Sequence, residues 1–361
     1  MIGCQQKYLK PETVLDLFTP EEVDDARRHG KLLSMELELT NACNAACKYC
    51  YRFAAEGPQP PSPDELTLEQ IEGAVRLAHS KHGLRSICIL GGEPLIPSVR
   101  KKYIGLLEVC NELGIRHLTV TNGLFLTEQT VQTLHDLKAS VCVKLNGMTP
   151  ETHDSLVGVK GAHNKSMEGF NRLISLGYGR GNKEYQLAFE TVIVRDNYDQ
   201  IEDMWVWARD RGIIPYVETL TDQGRGAKHM KELQVGNEDL RKLFERINEV
   251  DREKYGFDWD ITPPIVGGHC SRLYTGLYVQ ATGTVCPCAG VDMHLGNLQK
   301  QTVSEILSSP LAKVTRNIGD HITGKCRECD LSGTCYGCRG AAYQAGDLFG
   351  EDPVCWRDVG K

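Results

Sequence analysis

Hydrophobic residues recur along the first two thirds of the chain in two alternating patterns. Short apolar runs fit buried strands, and longer segments between them carry the spacing of amphipathic helices. The predicted strands cover residues 32–39, 86–90, 117–121, 140–146, 185–194 and 213–220, and the predicted helices cover residues 67–83, 98–114, 127–139, 165–177 and 198–212. Each of the glycines Gly83, Gly114, Gly177 and Gly212 stands where a left-handed helix C-cap is expected.

This alternation predicts an α/β fold. Strands that alternate with helices form a parallel sheet with right-handed crossovers, either an open doubly wound sheet or a barrel. In both architectures the chemistry lies beyond the C-terminal ends of the strands. Loops that directly follow predicted strands are therefore the places to look for functional residues.

Composition and charge exclude some classes of function. The 361 residues carry a formal net charge of -7, and 41% of them are hydrophobic. Such a chain has no excess of cations to neutralise nucleic-acid phosphates or an anionic membrane surface. We find no signal-peptide pattern and no apolar run long enough to span a bilayer. The sequence predicts a cytoplasmic protein without nucleic-acid or membrane partners.

Fifteen cysteines are many for a chain in a reducing compartment, where clustered thiols more often hold metal or do redox work than form disulfides. Eight of them lie at or beyond Cys270, and three lie in residues 40–51. The other four, Cys4, Cys88, Cys110 and Cys142, stand singly. Those at 88, 110 and 142 lie in apolar contexts and are predicted to be core residues.

The stretch TNACNAACKYCY, directly after the first strand, spaces its cysteines as C-x3-C-x2-C. Thiolates favour soft ions and iron–sulfur clusters, and three ligands to a four-iron cluster leave one iron open to another molecule. The alternatives are a three-thiolate zinc site with a fourth ligand from elsewhere, or chance spacing.

Three motifs in the first half of the chain resemble those of the radical S-adenosylmethionine (radical SAM) superfamily. They are CNAACKYC with Tyr49 before its last cysteine, GGEP at 91–94 after the second strand, and TNG at 121–123 after the third. The resemblance implies a partial (β/α)6 TIM-like barrel with a [4Fe-4S] cluster on Cys43, Cys47 and Cys50. It also implies that S-adenosylmethionine chelates the open iron. Its implied contacts are Tyr49, Gly91, Gly92, Glu93, Pro94, Thr121 and Asn122.

Each residue of GGEP has a physical reason for a place beside that cofactor. Gly91 and Gly92 lack a Cβ, which lets the backbone approach a ligand closely. Glu93 is expected to accept a charge-assisted hydrogen bond from the cofactor's amino group. Pro94 is expected to stiffen the turn.

The tail spaces its cysteines as C270-x15-C286-x-C288 and, after a gap, C326-x2-C329-x5-C335-x2-C338, followed by Cys355. Eight thiolates would saturate two further four-iron clusters, and a pair of zinc ribbons is the alternative. The tail resembles the SPASM extension of radical SAM enzymes, although the usual last spacing is C-x3-C and CYGC has one residue fewer.

The SPASM resemblance implies two auxiliary [4Fe-4S] clusters, for a total of three clusters in the chain. Cys326, Cys329, Cys335 and Cys355 would hold the distal cluster. Cys270, Cys288 and Cys338 would share the nearer one. Cys286 would either complete that nearer set or leave one iron open for substrate.

The family resemblance implies a 5'-deoxyadenosyl radical that abstracts hydrogen from a substrate C–H bond, with oxidation of the substrate radical through the auxiliary clusters. The expected enzyme is an oxidoreductase that uses a flavodoxin- or ferredoxin-type electron donor. Only about 32 residues precede the first strand, too few for a peptide-docking module. We therefore expect a small polar metabolite as substrate, in dehydrogenation of a sugar, aminocyclitol or alcohol.

Other functions stay open. One alternative is a maturase that forms a C–C or thioether cross-link in a ribosomal peptide, and another is a radical epimerase. Outside the enzymes, the alternative is a zinc-ribbon binding protein.

The predicted organisation is an N-terminal segment (1–32), the barrel (33–222), a helical linker (223–261) and the SPASM domain (262–361). Polar residues at predicted strand ends, namely Lys144, Asn146, Glu190, Arg195 and Glu218, are candidates for substrate binding. Of these, Glu190, Arg195 and Glu218 are the candidate catalytic residues. Asp222, Arg225 and His229 lie in a glycine-bearing loop that either closes over the site or is an exposed connector.

Overall fold

The computed structural model describes residues 18–179, 182, 184–268 and 270–357 of the protein, and in this part of the chain nine strands form one sheet. The strands are β1 (Ser34–Glu38), β2 (Ser86–Leu90), β3 (Arg116–Thr121), β4 (Ser140–Lys144), β5 (Leu187–Ile193), β6 (Ile214–Thr219), β7 (Gly276–Val279), β8 (Thr284–Cys286) and β9 (Gly296–Asn297). Their order across the sheet is β6-β5-β4-β3-β2-β1-β7-β8-β9. Cys4 lies outside the described residues.

The first six strands confirm the predicted α/β alternation. Each pairs in parallel with the next along the chain, for example Glu36 beside Cys88 and Val143 beside Phe189. Parallel neighbours need crossovers, and helices supply them. The α-helices are α1 (Pro20–His29), α2 (Leu68–His82), α3 (Arg100–Glu112), α4 (Glu128–Asp136), α5 (Pro150–Val157), α6 (Ala162–Ser175), α7 (Ile201–Arg209), α8 (Gly224–Lys228), α9 (Met230–Leu233), α10 (Asn237–Val250), α11 (Arg272–Thr275), α12 (Val303–Ser308), α13 (Pro310–Arg316), α14 (Lys325–Glu328) and α15 (Arg339–Gln344).

Four predicted helix ends are confirmed by their backbone. Gly83, Gly114, Gly177 and Gly212 all have positive φ, between 64° and 92°. A residue with a side chain would be strained there, so the sequence marks these ends reliably.

The parallel strands separate two apolar layers. Alternate positions such as Ile87, Ile89 and Val143 belong to the large core beneath the helices. The positions between them face the inside of the partial barrel, where Leu118, Cys142, Ala188 and Ile214 form a small buried cluster. This inner cluster closes the floor of the barrel, and polar side chains lie above it.

The cysteine-rich tail extends the sheet on its other side. Strand β7 pairs in parallel with β1, with Ser34 beside Gly276, and β8 and β9 follow as antiparallel neighbours. The segment ATGTVCPC contains the turn between β7 and β8, where Gly283 has φ +84°. The edge of β1 would otherwise expose unpaired backbone groups, which the tail strand satisfies.

In the described part of the chain, no helix combines the length and the apolar character needed to cross a membrane.

Candidate active site

The three-cysteine loop follows β1, and its backbone forms hydrogen bonds with Gln59 and with the end of α5. Cys43 exchanges two bonds with Gln59, each 2.9 Å. Ala46 and Lys48 donate to the carbonyls of Val157 and Leu156, at the end of α5, again at 2.9 Å. The loop is therefore fixed by tertiary contacts rather than by its own sequence.

The thiols of Cys43, Cys47 and Cys50 line one central cavity. Burial raises the pKa of Cys43 to about 12 and that of Cys47 to about 11, and the negative charge of the Cys50 thiolate adds to both shifts. The raised pKa values mean that Cys43 and Cys47 stay protonated at neutral pH when no metal is bound. A bound cationic centre would stabilise the deprotonated form of all three.

Arg225 secures this loop from the far side of the barrel. Its guanidinium is buried and donates to the carbonyls of Cys47 (2.8 Å), Ala55 (2.6 Å) and Gly57 (3.0 Å). Its backbone N–H donates to the Cys50 carbonyl at 2.8 Å. The segment of Asp222, Arg225 and His229 is therefore neither a free connector nor a lid, because α8 packs against the cysteine loop.

Replacing Arg225 by methionine is expected to lower the free energy of unfolding by about 2–4 kcal/mol, because three buried carbonyls lose a charged donor. Anaerobic denaturant unfolding measures this loss. The matched control is Arg211→Met, in which an exposed guanidinium gives up one bond to the Trp207 carbonyl and the change should stay within about 0.5 kcal/mol. Equal stabilities of the two variants would contradict the role of Arg225.

The glycines of GGEP face the cysteine loop as well as the cavity. A Cβ on Gly92 would lie 2.1 Å from the Ala42 carbonyl oxygen, and Gly91 has φ +120° with the Thr40 oxygen 2.8 Å from its Cβ position. The backbone N–H groups of Gly92 and Glu93 donate to the carbonyls of Thr40 and Ala42. The close approach that requires glycine is therefore made by the chain's own loop.

Glu93 does not reach the cavity, contrary to the sequence-based expectation. Its carboxylate is fully buried and accepts from the Thr121 hydroxyl (2.7 Å) and from the N–H groups of Asn122 (2.8 Å) and Leu95 (3.0 Å). Burial raises the pKa of Glu93 to about 7, against the effect of these donors. Glu93 therefore ties the end of β2 to the end of β3, and Pro94 is buried beside it.

Three other predicted contact residues do line the cavity. Thr121 and Asn122 stand at the end of β3, and the Asn122 side chain donates to Asn44 Oδ1 at 2.8 Å. Tyr49 is buried on the cavity wall with its hydroxyl beside the Cys47 thiol. These residues surround the space directly above the three thiols.

A charged network lies on the inner face of the barrel. Lys144 forms an ion pair with Glu190, and Glu218 accepts a hydrogen bond from the Tyr216 hydroxyl at 2.9 Å. Burial and the nearby charge of Glu190 raise the pKa of Glu218 to about 7, while Lys144 acts in the opposite direction. All four side chains line the cavity.

Arg272 of the tail completes this network. Its guanidinium donates to the Tyr216 hydroxyl at 3.1 Å and forms a 2.9 Å ion pair with Glu36 of β1. No sequence pattern singled out Arg272 or Glu36. Glu36 lies on β1, which is buried on both faces, and Arg272 begins the short helix α11, so hydrophobic alternation marks neither residue.

Two of the strand-end candidates lie elsewhere. Arg195 is exposed and donates to the Lys231 carbonyl at 3.5 Å, so the expectation that it acts in the site is not met. Asn146 is buried in a scaffold network with Thr191 and Asn197. Both follow the ends of their strands, where the chain has already turned away from the barrel axis.

The single cysteines divide between the two apolar layers. Cys110 is buried in the outer core, as predicted. Cys142 is buried too and Cys88 is partly buried, but both line the central cavity on the inner faces of β4 and β2. Burial raises the pKa of both, so they stay protonated at neutral pH.

The tail brings a second set of thiols to the same cavity. Cys270, Cys288 and Cys338 line it together with the first three cysteines. The Tyr336 hydroxyl donates to Cys270 Sγ at 3.3 Å, and the Ala341 N–H donates to Cys338 Sγ at 3.4 Å. Hydrogen bonds of this kind stabilise thiolate sulfur.

A separate, smaller cavity holds the remaining predicted set. Its lining includes Cys326, Cys329, Cys335 and Cys355. Cys326 Sγ accepts from the Asp352 N–H at 3.3 Å, and Cys335 Sγ accepts from the Gly337 N–H at 3.3 Å. Four thiols around one small space match a closed four-ligand site.

Cys286 joins neither set. Its thiol is buried near Asp292 and His294 rather than on either cavity wall, so of the two expectations for Cys286 the structure does not support its completing the nearer set. Strand β8 ends at Cys286 and the chain bends at Pro287, which turns Cys286 and Cys288 to different sides.

The donor chemistry of the central cavity fits the expected cofactors. Cys43, Cys47 and Cys50 supply three sulfurs, the preferred ligands of an iron–sulfur cluster. Gln223 also lines the cavity, and its buried Oε1 has no hydrogen-bond partner among the described residues. A buried acceptor of this kind is normally satisfied, so a ligand donor at this point fits the site.

Two family models match the chain. The radical SAM superfamily model matches residues 37–208, and the iron–sulfur cluster-binding domain called SPASM matches residues 270–330. Together they cover well over half of the sequence, in the order that the motifs predicted.

Individual proteins are similar over nearly the whole length. An AdoMet-dependent heme synthase of Nitratidesulfovibrio vulgaris is 26% identical over 93% of this chain and 95% of its own. A PqqA peptide cyclase of Rhizobium meliloti is 26% identical over 90% of this chain and 87% of its own. Streptococcus suis SuiB, solved with its precursor peptide SuiA, has a TM-score of 0.69 at 19% identity, covering 97% of this chain and 84% of that one. That last likeness shows the fold alone.

The two matched domains imply S-adenosylmethionine and [4Fe-4S] clusters as cofactors. The matches, the parallel barrel and the convergent thiols agree with one another. The chain therefore belongs to the radical SAM superfamily and carries a C-terminal SPASM domain.

Proposed function

We propose that the protein matures a ribosomally made peptide by oxidative formation of a C–C or thioether cross-link. One observation carries the proposal: the thiols of Cys43, Cys47 and Cys50 and those of Cys270, Cys288 and Cys338 line a single cavity. A substrate bound between two such sets would meet a radical source on one side and an electron acceptor on the other.

Three cysteine sets would hold three [4Fe-4S] clusters, with S-adenosylmethionine at the first. That first set is Cys43, Cys47 and Cys50, beside the cofactor contacts Tyr49, Gly91, Gly92, Thr121 and Asn122. The nearer auxiliary set is Cys270, Cys288 and Cys338, and the distal set is Cys326, Cys329, Cys335 and Cys355. When bound, these groups supply a radical that removes one hydrogen atom from the substrate and an acceptor for one electron.

Glu218 is the group in this chain best placed to accept the proton that leaves the oxidised substrate. Its Oε2 is occupied by the Tyr216 hydroxyl, which leaves Oε1 to take a proton. A pKa of about 7, raised by burial and by Glu190, suits proton transfer at neutral pH. Arg272 holds Tyr216, and Lys144 neutralises Glu190, so the carboxylate of Glu218 keeps one orientation.

The preference for a peptide over a small metabolite rests on the relatives. The PqqA peptide cyclase is named for a peptide substrate and matches nearly the whole chain. The short segment before the first strand argued against a peptide substrate because it leaves no room for a docking module. That argument carries less weight, because a separate docking protein can present a peptide. A flavodoxin- or ferredoxin-type donor stays the predicted source of the first electron.

Oxidation of a small molecule is the second candidate. The specific observation in its favour is the near-complete match to a protein named AdoMet-dependent heme synthase. In that case the substrate is a compound that fits the same cavity and loses two hydrogens or an equivalent pair of electrons.

The test uses the anaerobically reconstituted protein with reductant and S-adenosylmethionine. Short peptides encoded beside its gene are supplied in one arm, and a porphyrin with propionate side chains in the other. The proposal expects loss of two hydrogens from a peptide, mapped by tandem mass spectrometry, with stoichiometric 5'-deoxyadenosine. Turnover of the porphyrin alone would replace it with the second candidate.

Replacing Cys329 and Cys355 together by alanine is expected to spare cofactor cleavage and to abolish the oxidised product. The distal set would lose its cluster, about four irons per chain, while the first three cysteines stay intact. Iron analysis, 5'-deoxyadenosine assay and product mass spectrometry measure the three effects separately. Cys110→Ala, in the outer core, is the control that should keep its iron. Unchanged product formation in the double variant would reduce the distal set to a structural role.

A further inference from the structure

Cys286, the tail cysteine that lines neither cavity, lies beside two other possible metal ligands. The thiol of Cys286, a carboxylate oxygen of Asp292 and a ring nitrogen of His294 all lie within 4.8 Å of one another. His294 Nε2 is 3.4 Å from Asp292 Oδ1. We infer that these three side chains form a binding site for one zinc ion, separate from the iron–sulfur sites and independent of the proposed reaction.

The donor set and its spacing suit zinc. Zn²⁺ binds sulfur at about 2.3 Å and nitrogen or oxygen at about 2.0–2.2 Å, so ligand atoms around a tetrahedral ion stand about 3.3–3.7 Å apart. The separation of His294 and Asp292 already has this value. A thiolate, an imidazole and a carboxylate are all zinc ligands, and solvent would fill the fourth position.

The local backbone presents the three side chains together. They belong to one hairpin, in which Cys286 ends β8 and His294 precedes β9. Met293 packs into the inner apolar cluster of the tail, so its neighbours Asp292 and His294 both point outward. Zinc binding by these three side chains therefore requires no movement of the barrel or of the cluster-binding segments.

Helix α15 fixes the hairpin from behind. The Tyr343 hydroxyl donates to the Asp292 carbonyl at 3.0 Å, and the Gln344 side chain donates to the Gly290 carbonyl at 3.3 Å. Leu295 N–H donates to the Val285 carbonyl at 2.8 Å, which sets the register of the two strands. A preorganised backbone lowers the entropic cost of assembling three ligands.

The site is open to ions from solvent. The side chains of Asp292 and His294 are 63% and 65% exposed, while Cys286 is 1% exposed. An ion from solvent can thus bind the exposed carboxylate and imidazole first and the buried sulfur last. This entry path differs from that of the central cavity, which Cys270, Cys288 and Cys338 line.

The test is made on the reconstituted full-length protein, equilibrated anaerobically with chelator-buffered Zn²⁺. Zinc and iron per chain are measured by mass spectrometry, and the zinc environment by X-ray absorption. We expect one zinc with one sulfur at about 2.3 Å and lighter ligands at about 2.0–2.2 Å. His294→Gln and Asp292→Asn alter only exposed side chains and should weaken zinc binding at least tenfold without loss of iron. Cys286→Ser should do the same.

The control is His135→Gln, which removes another imidazole that lies 3.5 Å from a carboxylate, that of Asp136. It should leave zinc binding unchanged. Three results would overturn the site: zinc binding unaffected by His294→Gln, a zinc shell of four sulfurs, or iron loss in Cys286→Ser. The last would return Cys286 to a cluster, and none of them bears on cleavage of the cofactor.

Discussion

Replacing Cys43, Cys47 and Cys50 together by alanine is expected to reduce 5'-deoxyadenosine formation to the level seen without protein. The three thiols line the central cavity, and burial raises the pKa of Cys43 and Cys47, which a bound metal centre would lower again. Without these thiols the site would have no ligands for the cluster at which S-adenosylmethionine would be cleaved. The measurement is anaerobic cofactor cleavage with reductant, followed by chromatography.

The same variant should lose about one third of the iron, because the two tail sets are retained. Cys142→Ala is the matched control for iron content, since its thiol lines the same cavity on the inner face of β4. Retention of cofactor cleavage by the triple variant would refute the assignment of the radical-initiating site. Loss of all iron would show instead that the three sets do not assemble independently.

Gly92→Ala is expected to destabilise the protein by about 3 kcal/mol or more and to prevent assembly of the first cluster. The added Cβ would lie 2.1 Å from the Ala42 carbonyl oxygen and 2.7 Å from that of Asn41. Both contacts are with backbone, so no side-chain rotation can relieve them. The cysteine loop would have to move away from the end of β2.

Denaturant unfolding and iron content measure the two effects of Gly92→Ala. Gly73→Ala is the control with the opposite sign: its Cβ meets nothing within 4 Å, and alanine in the interior of α2 should stabilise by up to about 1 kcal/mol. A fully stable Gly92→Ala protein with its normal iron would mean that the loop is not confined as the structure indicates.

Much of the fold could be predicted from the sequence because the spacing of hydrophobic residues along the chain indicates each strand and helix. All six predicted parallel strands and the helices between them are present, and four glycines mark helix ends through their positive φ. The cysteine motifs could be read for a similar reason. Ligand spacing within one loop is a property of the local chain, and the family models agree with it.

The roles of individual motif residues were harder to predict. Gly91 and Gly92 were expected to admit the cofactor, but their tightest neighbours are the carbonyls of Thr40, Asn41 and Ala42. Glu93 was expected to hold the cofactor, but its carboxylate joins two strand ends. A motif shows that a position is constrained. Only the packing around that position shows whether a ligand or the protein's own chain constrains it.

The tertiary structure also decided which side of each strand forms the site. Both faces of a parallel barrel strand are buried, so hydrophobic alternation gives no sign of which face is inner. Glu190 and Glu218 face the cavity together with Lys144, whereas Arg195 lies outside it. Glu36 and Arg272 come from opposite ends of the chain and meet because β7 pairs with β1.

The sequence by itself determined the α/β class, the three-cysteine loop after the first strand and the family, since each depends on short-range spacing. Tertiary structure decided that the tail continues the barrel sheet, that Arg225 anchors the cysteine loop, and that Cys286 stands apart from Cys288. These depend on contacts between residues far apart in sequence or on the direction of a single bend. Such features follow from how buried surfaces and backbone hydrogen bonds are satisfied in three dimensions, which local spacing does not encode.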